Sequence, residues 1–267
     1  MAEAVRIYRV VAVAAMFALF FFGGLLIALF LLPITWIAGP PRTAYLRCRR
    51  FISRGFASYL KLLEVLGLIR FSSDFDRHTE RSPCVMVANH PTILDVVSIV
   101  AYTGPICVII RHTATRNIFF SLLTRLCDHI IVREGSIQDA QTVMDEAVRR
   151  ITELGETLLI FPEGTRSPVR GLHRFLRAPF DIAQKAKVPI VPIVVHCDPP
   201  VLKKGGSVVR WPNVLVQYHL EESAPIQVGP SRRDAIDARD RTYRLILARS
   251  EASRVDAADL GLELPSG

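Results

Sequence analysis

Hydrophobic and polar positions fall along the chain in three regimes. From Val10 to Pro41 no residue is charged, and the run VVAVAAMFALFFFGGLLIALFLLPITWIAG exceeds the roughly 20 apolar residues needed to cross hydrocarbon. It reads as a membrane segment rather than a cleaved signal, whose apolar core spans only about 7 to 15 residues. Two geometries fit: one tilted helix, or a re-entrant hairpin of two short helices broken at Gly23-Gly24. Residues 43 to 69 interleave apolar and basic positions, which predicts an interfacial helix or an ordinary core helix.

After Arg70 short β-rich runs alternate with helical stretches, the signature of an α/β layer fold. Strands are predicted at Cys84 to Ala88, Ile106 to Ile110, His129 to Val132, Thr157 to Phe161, Ile190 to His196 and Val214 to His219. Helices are predicted at Thr92 to Ala101, Thr115 to Leu126, Ser136 to Glu153 and Pro179 to Ala186. The third is the clearest, with Ser136 as cap and Ala140, Val143, Ala147 and Ile151 on one face. From Ser231 on, Arg and Asp alternate around Ile236, Tyr243 and Ile246, as on a solvated amphipathic helix.

Composition sharpens this picture in two ways. Half of the 267 residues are apolar, high for a soluble protein, and about 220 remain beyond the membrane segment, enough for one globular domain. Lys and Arg exceed Asp and Glu by eight. Arg42, Arg47, Arg49, Arg50, Arg54 and Lys61 crowd just after the apolar run, where anionic headgroups would lie. That position favours a lipid surface over nucleic acid, and by the positive-inside rule it puts the following domain on the cytoplasmic side. No zinc-finger or aromatic RNA-binding signature is present. The five cysteines lack close pairing and read as reduced core residues.

Two segments carry candidate chemistry. In the first, Asn89-His90-Pro91-Thr92-Ile93-Leu94-Asp95 follows an apolar strand and opens a helix. With Pro91 at the first helical position, His90 sits at the cap and Asp95 about a turn inside, its carboxylate leaning back toward the imidazole. That is a general base with an orienting partner; taken alone, it reads equally as a helix cap and a first-turn acid. The second segment, Phe161-Pro162-Glu163-Gly164-Thr165-Arg166-Ser167, also follows an apolar strand. Gly164 permits a tight turn, while Thr165 and Arg166 offer donors to a phosphate or carboxylate; alone, it is a surface turn. The six letters FPEGTR arise by chance on the order of once in 10⁷ to 10⁸ positions.

Together, NHPTILD and FPEGTRS resemble the NHx4D and FPEGTRS blocks of the glycerolipid acyltransferase family, whose archetype acylates 1-acyl-glycerol-3-phosphate. The resemblance runs from about Cys84 to His196. Ile131-Val132-Arg133 is similar to the segment ending in a substrate-binding Arg, and 188 to 192 to the final strand of the family. Thr92 stands where Ser is frequent, Cys127 or Asp128 where a Gly commonly precedes the strand, and Ala178 where Gly is frequent.

The resemblance implies a mixed central sheet flanked by helices, of glycerol-3-phosphate acyltransferase type. It divides the chain into a membrane segment (1–42), a juxtamembrane helix (43–70), an acyltransferase domain (71–230) and a C-terminal helix and tail (231–267). It implies His90 and Asp95 as the catalytic pair, with Asn89, Arg133, Glu163, Gly164, Thr165 and Arg166 binding substrate. The acyl donor would be acyl-CoA or acyl-carrier protein, and the acceptor a membrane lysolipid, foremost 1-acyl-glycerol-3-phosphate giving phosphatidic acid. A lyso-ornithine lipid or lyso-glycolipid acceptor, and a non-catalytic lipid-binding protein, are the alternatives. No metal, other cofactor or nucleic acid is expected.

Overall fold

The computed structural model describes residues 2–40, 43–75, 82–133, 137–202 and 211–259. The apolar N-terminus is helical from end to end. Helix α1 (Ala2–Ala18) passes through a widened π turn (Leu19–Gly23) into α2 (Gly24–Leu26), then through a second π turn (Ile27–Leu31) into α3 (Leu32–Ile37). Pro33 lies in the first turn of α3, and a locally widened turn before it accommodates a ring that cannot donate a helical hydrogen bond. Of the two geometries the chain adopts the continuous helix, with no break at Gly23-Gly24. Gly24 is glycine for proximity rather than for bending: a Cβ there would lie 2.6 Å from a ring carbon of Phe119.

The run turns back into α4 (Ala44–Val65), which packs antiparallel to it. Phe20 meets Phe56 and Tyr59, and Thr35 Oγ1 lies 3.0 Å from Cys48 Sγ. Arg47 donates to the carbonyls of Thr35 and Trp36 in the last turn of α3, and to Pro40 O, which Thr43 N also reaches at 3.1 Å. Both ends of the long helix also touch the domain. Tyr8 OH donates to Leu66 O and Arg9 to Pro212 O, while Trp36 Nε1 donates to Leu126 O. Its outer face carries exposed Phe22, Leu26, Phe30, Ile34 and Ile37.

The remaining elements are β1 (Ile69–Ser73), β2 (Val85–Ala88), α5 (Asp95–Thr103), β3 (Cys107–Arg111), α6 (Ile118–Leu126), β4 (Ile130–Val132), α7 (Ile137–Leu154), β5 (Leu158–Ile160), α8 (Ala178–Ala186), β6 (Ile190–Asp198), β7 (Val216–Glu222) and α9 (Arg232–Asp259). The strands form one sheet in the order β1-β7-β6-β2-β5-β3-β4. All neighbours are parallel except β6 and β7. The sheet is therefore mixed, as expected.

Strand residues alternate between its two faces. Met86, Ala88, Leu159, Val191 and Ile193 pack beneath the N-terminal helices, α4 and α5; Val85, Val87, Leu158, Ile160 and Val194 pack against α7, α8 and α9. Each inner strand is covered on both sides, which is why it reads as an unbroken apolar run. β1 was not predicted. It is an edge strand with one fully buried position, in the sequence IRFSS, and it runs across the expected 70/71 boundary. Ser136, the predicted cap of α7, and Arg42, part of the basic cluster, lie outside the described residues.

The basic cluster after the apolar run is only partly a headgroup surface. Arg50, Arg54 and Lys61 are exposed, but Arg47 caps the helix end and Arg49 is buried at 2% exposure. Arg49 lies 2.9 Å from Glu156 and donates to the carbonyls of Cys127 and Asp128 at the end of α6.

Candidate active site

The two motifs meet at the carboxyl ends of β2 and β5, adjacent central strands. Crevices at such strand ends are where open α/β sheets bind ligands. After β2 the chain does not enter a helix directly. Residues 91 to 94 form a turn and α5 begins only at Asp95, three residues later than predicted. The cause is Asp95 itself: its carboxylate accepts from Thr92 N (2.9 Å) and Thr92 Oγ1 (2.7 Å), closing the turn in front of the helix. His90 is thus a turn residue rather than the helix cap. Asp95 sits in the first helical turn, where the dipole favours its charge.

His90 Nδ1 and Asp95 Oδ2 are 2.7 Å apart. Asp95 is fully buried, and Tyr218 OH on β7 donates to its Oδ1 at 2.6 Å. A carboxylate only accepts, so Nδ1 is the donor of this bond, and of the two neutral tautomers it selects the one whose lone pair is on Nε2. The His90 ring stacks on Phe161, with centroids 4.3 Å apart. Burial and the neighbouring Asp95 charge push the Tyr218 phenol well above its ordinary range, so it keeps its proton.

The second motif grips the first through the backbone. Ser167 N donates to His90 O at 2.8 Å, and His90 N donates to Ser167 Oγ at 3.0 Å. Glu163 is buried and accepts from Ser167 Oγ, His173 N and, at 3.4 Å, His90 N. Asn89 is also buried, with Nδ2 donating to Val195 O and Oδ1 accepting from Val195 N. Neither side chain borders the cavity described below. Both were expected to bind substrate; the geometry has them joining the strand ends and holding the turn that carries His90.

Gly164, Thr165 and Arg166 do reach the cavity beside His90. Gly164 has φ +64°, a conformation that favours glycine. Arg166 donates to Leu202 O at 3.1 Å. Arg133 is not brought to this group: it is exposed after β4, the sheet's edge strand, and does not border the cavity.

The cavity measures 460 Å³. His90, Phe161 and Arg166 border one part of it; Ile93, Val96, Val97 and Val100 line the wall along α5; Arg49, Cys127 and His129 border the part nearest α4 and β4. A mostly apolar chamber with polar groups beside His90 suits a hydrocarbon chain attached to a polar head. Among the described residues no group of three or more His, Cys, Asp or Glu side chains is placed to hold a metal ion.

Two departures from the family pattern find a reason. Asp128, near where Gly is common, has φ +50°, and Arg150 holds its carboxylate at 2.7 Å. Thr92, where Ser is frequent, uses the hydroxyl it shares with Ser on Asp95. Sequence reasoning did not single out Tyr218 or Ser98. For Tyr218 a signal existed: a phenol at an inward position of an apolar strand must find a buried partner.

Residues 70–196 match the family model described as Acyltransferase. A putative 1-acyl-sn-glycerol-3-phosphate acyltransferase of Caenorhabditis elegans is 31% identical over 186 residues, 68% of this chain and 68% of its own length. The 1-acyl-sn-glycerol-3-phosphate acyltransferase beta of Homo sapiens is 34% identical over 122 residues, 44% of this chain and 43% of its own length. The corresponding enzyme of Haemophilus influenzae is 32% identical over 156 residues, 58% and 62% of the two chains. The crystal structure of the 1-acyl-sn-glycerophosphate acyltransferase PlsC from Thermotoga maritima aligns over 95% of this chain and 98% of its own, with TM-score 0.70. At 18% identity it shows a shared fold.

Proposed function

The chain belongs to the acyltransferase family, and from that premise we propose that it moves a fatty acyl group from a thioester donor to the free hydroxyl of 1-acyl-glycerol-3-phosphate, giving phosphatidic acid. The observation that carries this reading is a histidine held at 2.7 Å by a fully buried carboxylate, at the mouth of an apolar chamber. His90 Nε2 takes the proton of the acceptor hydroxyl as its oxygen attacks the thioester carbonyl. The tetrahedral intermediate collapses, the C–S bond breaks, and His90 returns the proton to the departing thiolate. Asp95 keeps the ring in the competent tautomer and stabilises the imidazolium.

Arg166 and Thr165 bind the acceptor phosphate beside His90, turning headgroup binding into orientation of the hydroxyl. The acyl chain lies along α5 in the chamber. The donor is acyl-CoA or acyl-carrier protein, and each step uses only side chains of this protein.

The protein associates with membrane through its N-terminal helices, whose apolar outer face is exposed. Because both ends of the long helix contact the domain, a helix standing across the bilayer would carry the domain into hydrocarbon. The contacts favour a helix lying along the lipid boundary. Exposed Arg50, Arg54 and Lys61, with five free cysteines, support a cytoplasmic face for the catalytic domain in this reading.

The test is a purified-enzyme assay with labelled acyl donor against a panel of lysolipids, run beside His90→Ala. The wild type acylates the phosphate-bearing acceptor, and the variant loses at least about 10²-fold. Equal rates in the two enzymes would reject the role of His90, and preference for an acceptor without phosphate would reject the substrate.

A further inference from the structure

The acceptors of the Asp95 carboxylate are filled from three directions. Oδ2 takes His90 Nδ1 and Thr92 N; Oδ1 takes Thr92 Oγ1 and Tyr218 OH. Three of these donors come from the turn that carries Asp95. The fourth comes from β7, 123 residues away in sequence.

The topology explains how it arrives. β7 is antiparallel to β6, so its early residues lie beside the carboxyl end of β6, with Tyr218 opposite Cys197. That end of the sheet is where Asn89 ties β2 to Val195, and so where the His90 turn begins. Tyr218 is 1% exposed, its ring packs against Phe71 at 4.8 Å, and Ser98 Oγ lies 3.1 Å from its hydroxyl. A phenylalanine would fill the same space without burying a hydroxyl, which is costly unless bonded. The oxygen is therefore explained by its bond to Asp95.

We propose that Tyr218 is a positioning residue of the reaction, fixing the plane of the Asp95 carboxylate and sharing its charge so that His90 releases its proton readily. The inference rests on the His90–Asp95 reading above. Tyr218 does not border the cavity, so it acts through Asp95 and not on substrate. Among the described residues, charged and titratable groups face this unit from two strands and the loop after β5. Glu163 and Arg166 approach His90 from the loop after β5, Tyr218 reaches Asp95 from β7, and Cys197 of β6 lies near Tyr218.

With the phenol removed, Oδ1 keeps only Thr92, and the carboxylate leans harder on the imidazole. That favours the protonated ring, so a higher pH is needed to free Nε2. For Tyr218→Phe the acid limb of the kcat profile moves up by about 0.5 to 1 pH unit, the scale of one hydrogen bond to an ionised group divided between two protonation states. The plateau kcat falls about 3- to 10-fold, the same bond read as rate, and KM for both substrates stays within about twofold, since no contact with the cavity is lost.

The experiment measures kcat and KM against pH for wild type, Tyr218→Phe, Phe71→Leu and His90→Ala. Phe71→Leu loosens the packing around the phenol but leaves its hydroxyl, and its acid limb stays with the wild type. An unmoved limb in Tyr218→Phe, an equal shift in Phe71→Leu, or a loss confined to KM overturns the role of Tyr218. Full activity in His90→Ala overturns the catalytic pair itself, which separates the two failures.

Discussion

Replacing Arg49 with Met removes the buried cation that joins α4 to the catalytic domain. Besides the stacking of the guanidinium over the Tyr45 ring at 4.9 Å, three polar contacts go at once: the 2.9 Å approach of Nη1 to Glu156, and the donations of Nε to Cys127 O and Nη2 to Asp128 O, both at 2.7 Å. Asp128 O keeps a donor in Arg150 at 2.8 Å, whereas Cys127 O loses its own, a cost of about 1 kcal/mol. Glu156, 6% exposed, is left with Arg150 at 3.5 Å and the neighbouring Tyr45 phenol. The Arg49–Glu156 contact is charge to charge rather than a directed hydrogen bond, so the low end of the usual cost of breaking a buried pair applies, about 3 kcal/mol.

The total for Arg49→Met is about 4 kcal/mol, or roughly 8 to 16 °C in Tm for a domain of this size. Most of that comes from the buried carboxylate that loses its nearer cation, so adding Glu156→Gln to Arg49→Met recovers about 2 kcal/mol. Thermal unfolding in detergent of the wild type, both single variants and the double variant closes the cycle. An Arg49→Met enzyme within about 1 kcal/mol of wild type, or a double variant as unstable as the sum of the singles, would refute the reasoning.

Acid weakens the same region through His129. Burial, then the Arg49 and Arg150 guanidiniums, push its imidazole down to about 3, and its Nδ1 accepts from Val108 N. The unfolded chain binds the proton below about 6.5 and the folded chain does not, so stability is lost as pH falls from 6.5 toward 3, by about 2 kcal/mol at pH 5. The drop in unfolding midpoint between pH 7 and 5 shrinks in His129→Gln; an equal drop in both enzymes counts against this origin. Arg166→Lys, which keeps charge but loses the fork, raises KM for the acceptor about tenfold with kcat little changed in initial-rate assays. Gly164→Ala, strained at φ +64°, lowers stability by about 1 to 2 kcal/mol in the same unfolding assay.

The inner strands were legible because the three-layer fold buries both of their faces, leaving runs such as VMVA and LLI with no polar interruption. The edge strand β1 was not: with one sheet neighbour and a burial pattern closed at a single residue, its sequence carries little period. Gly23-Gly24 left the two geometries open because glycine has two uses. Local sequence cannot distinguish a bend from a close approach, and here the approaching ring belongs to Phe119, about 95 residues on. Arg49 misled for a similar reason, since its partner Glu156 lies more than 100 positions away.

The same limit explains which part of the candidate site could be read. Pairing His90 with Asp95 needs only a turn, so five residues of sequence suffice. Deciding what Asn89 and Glu163 bind requires knowing which strands are neighbours. Once β2 lies between β5 and β6, two buried turns meet, and every polar group in them must find a partner inside the protein. Asn89 finds the β6 backbone, and Glu163 finds the His90 turn and His173. Motif residues that look like substrate ligands are thus drawn into holding one another, and the cavity keeps those whose donors remain at its wall, His90, Thr165 and Arg166. A ligand-binding role follows from a motif residue only after the demands of its own buried backbone have been met.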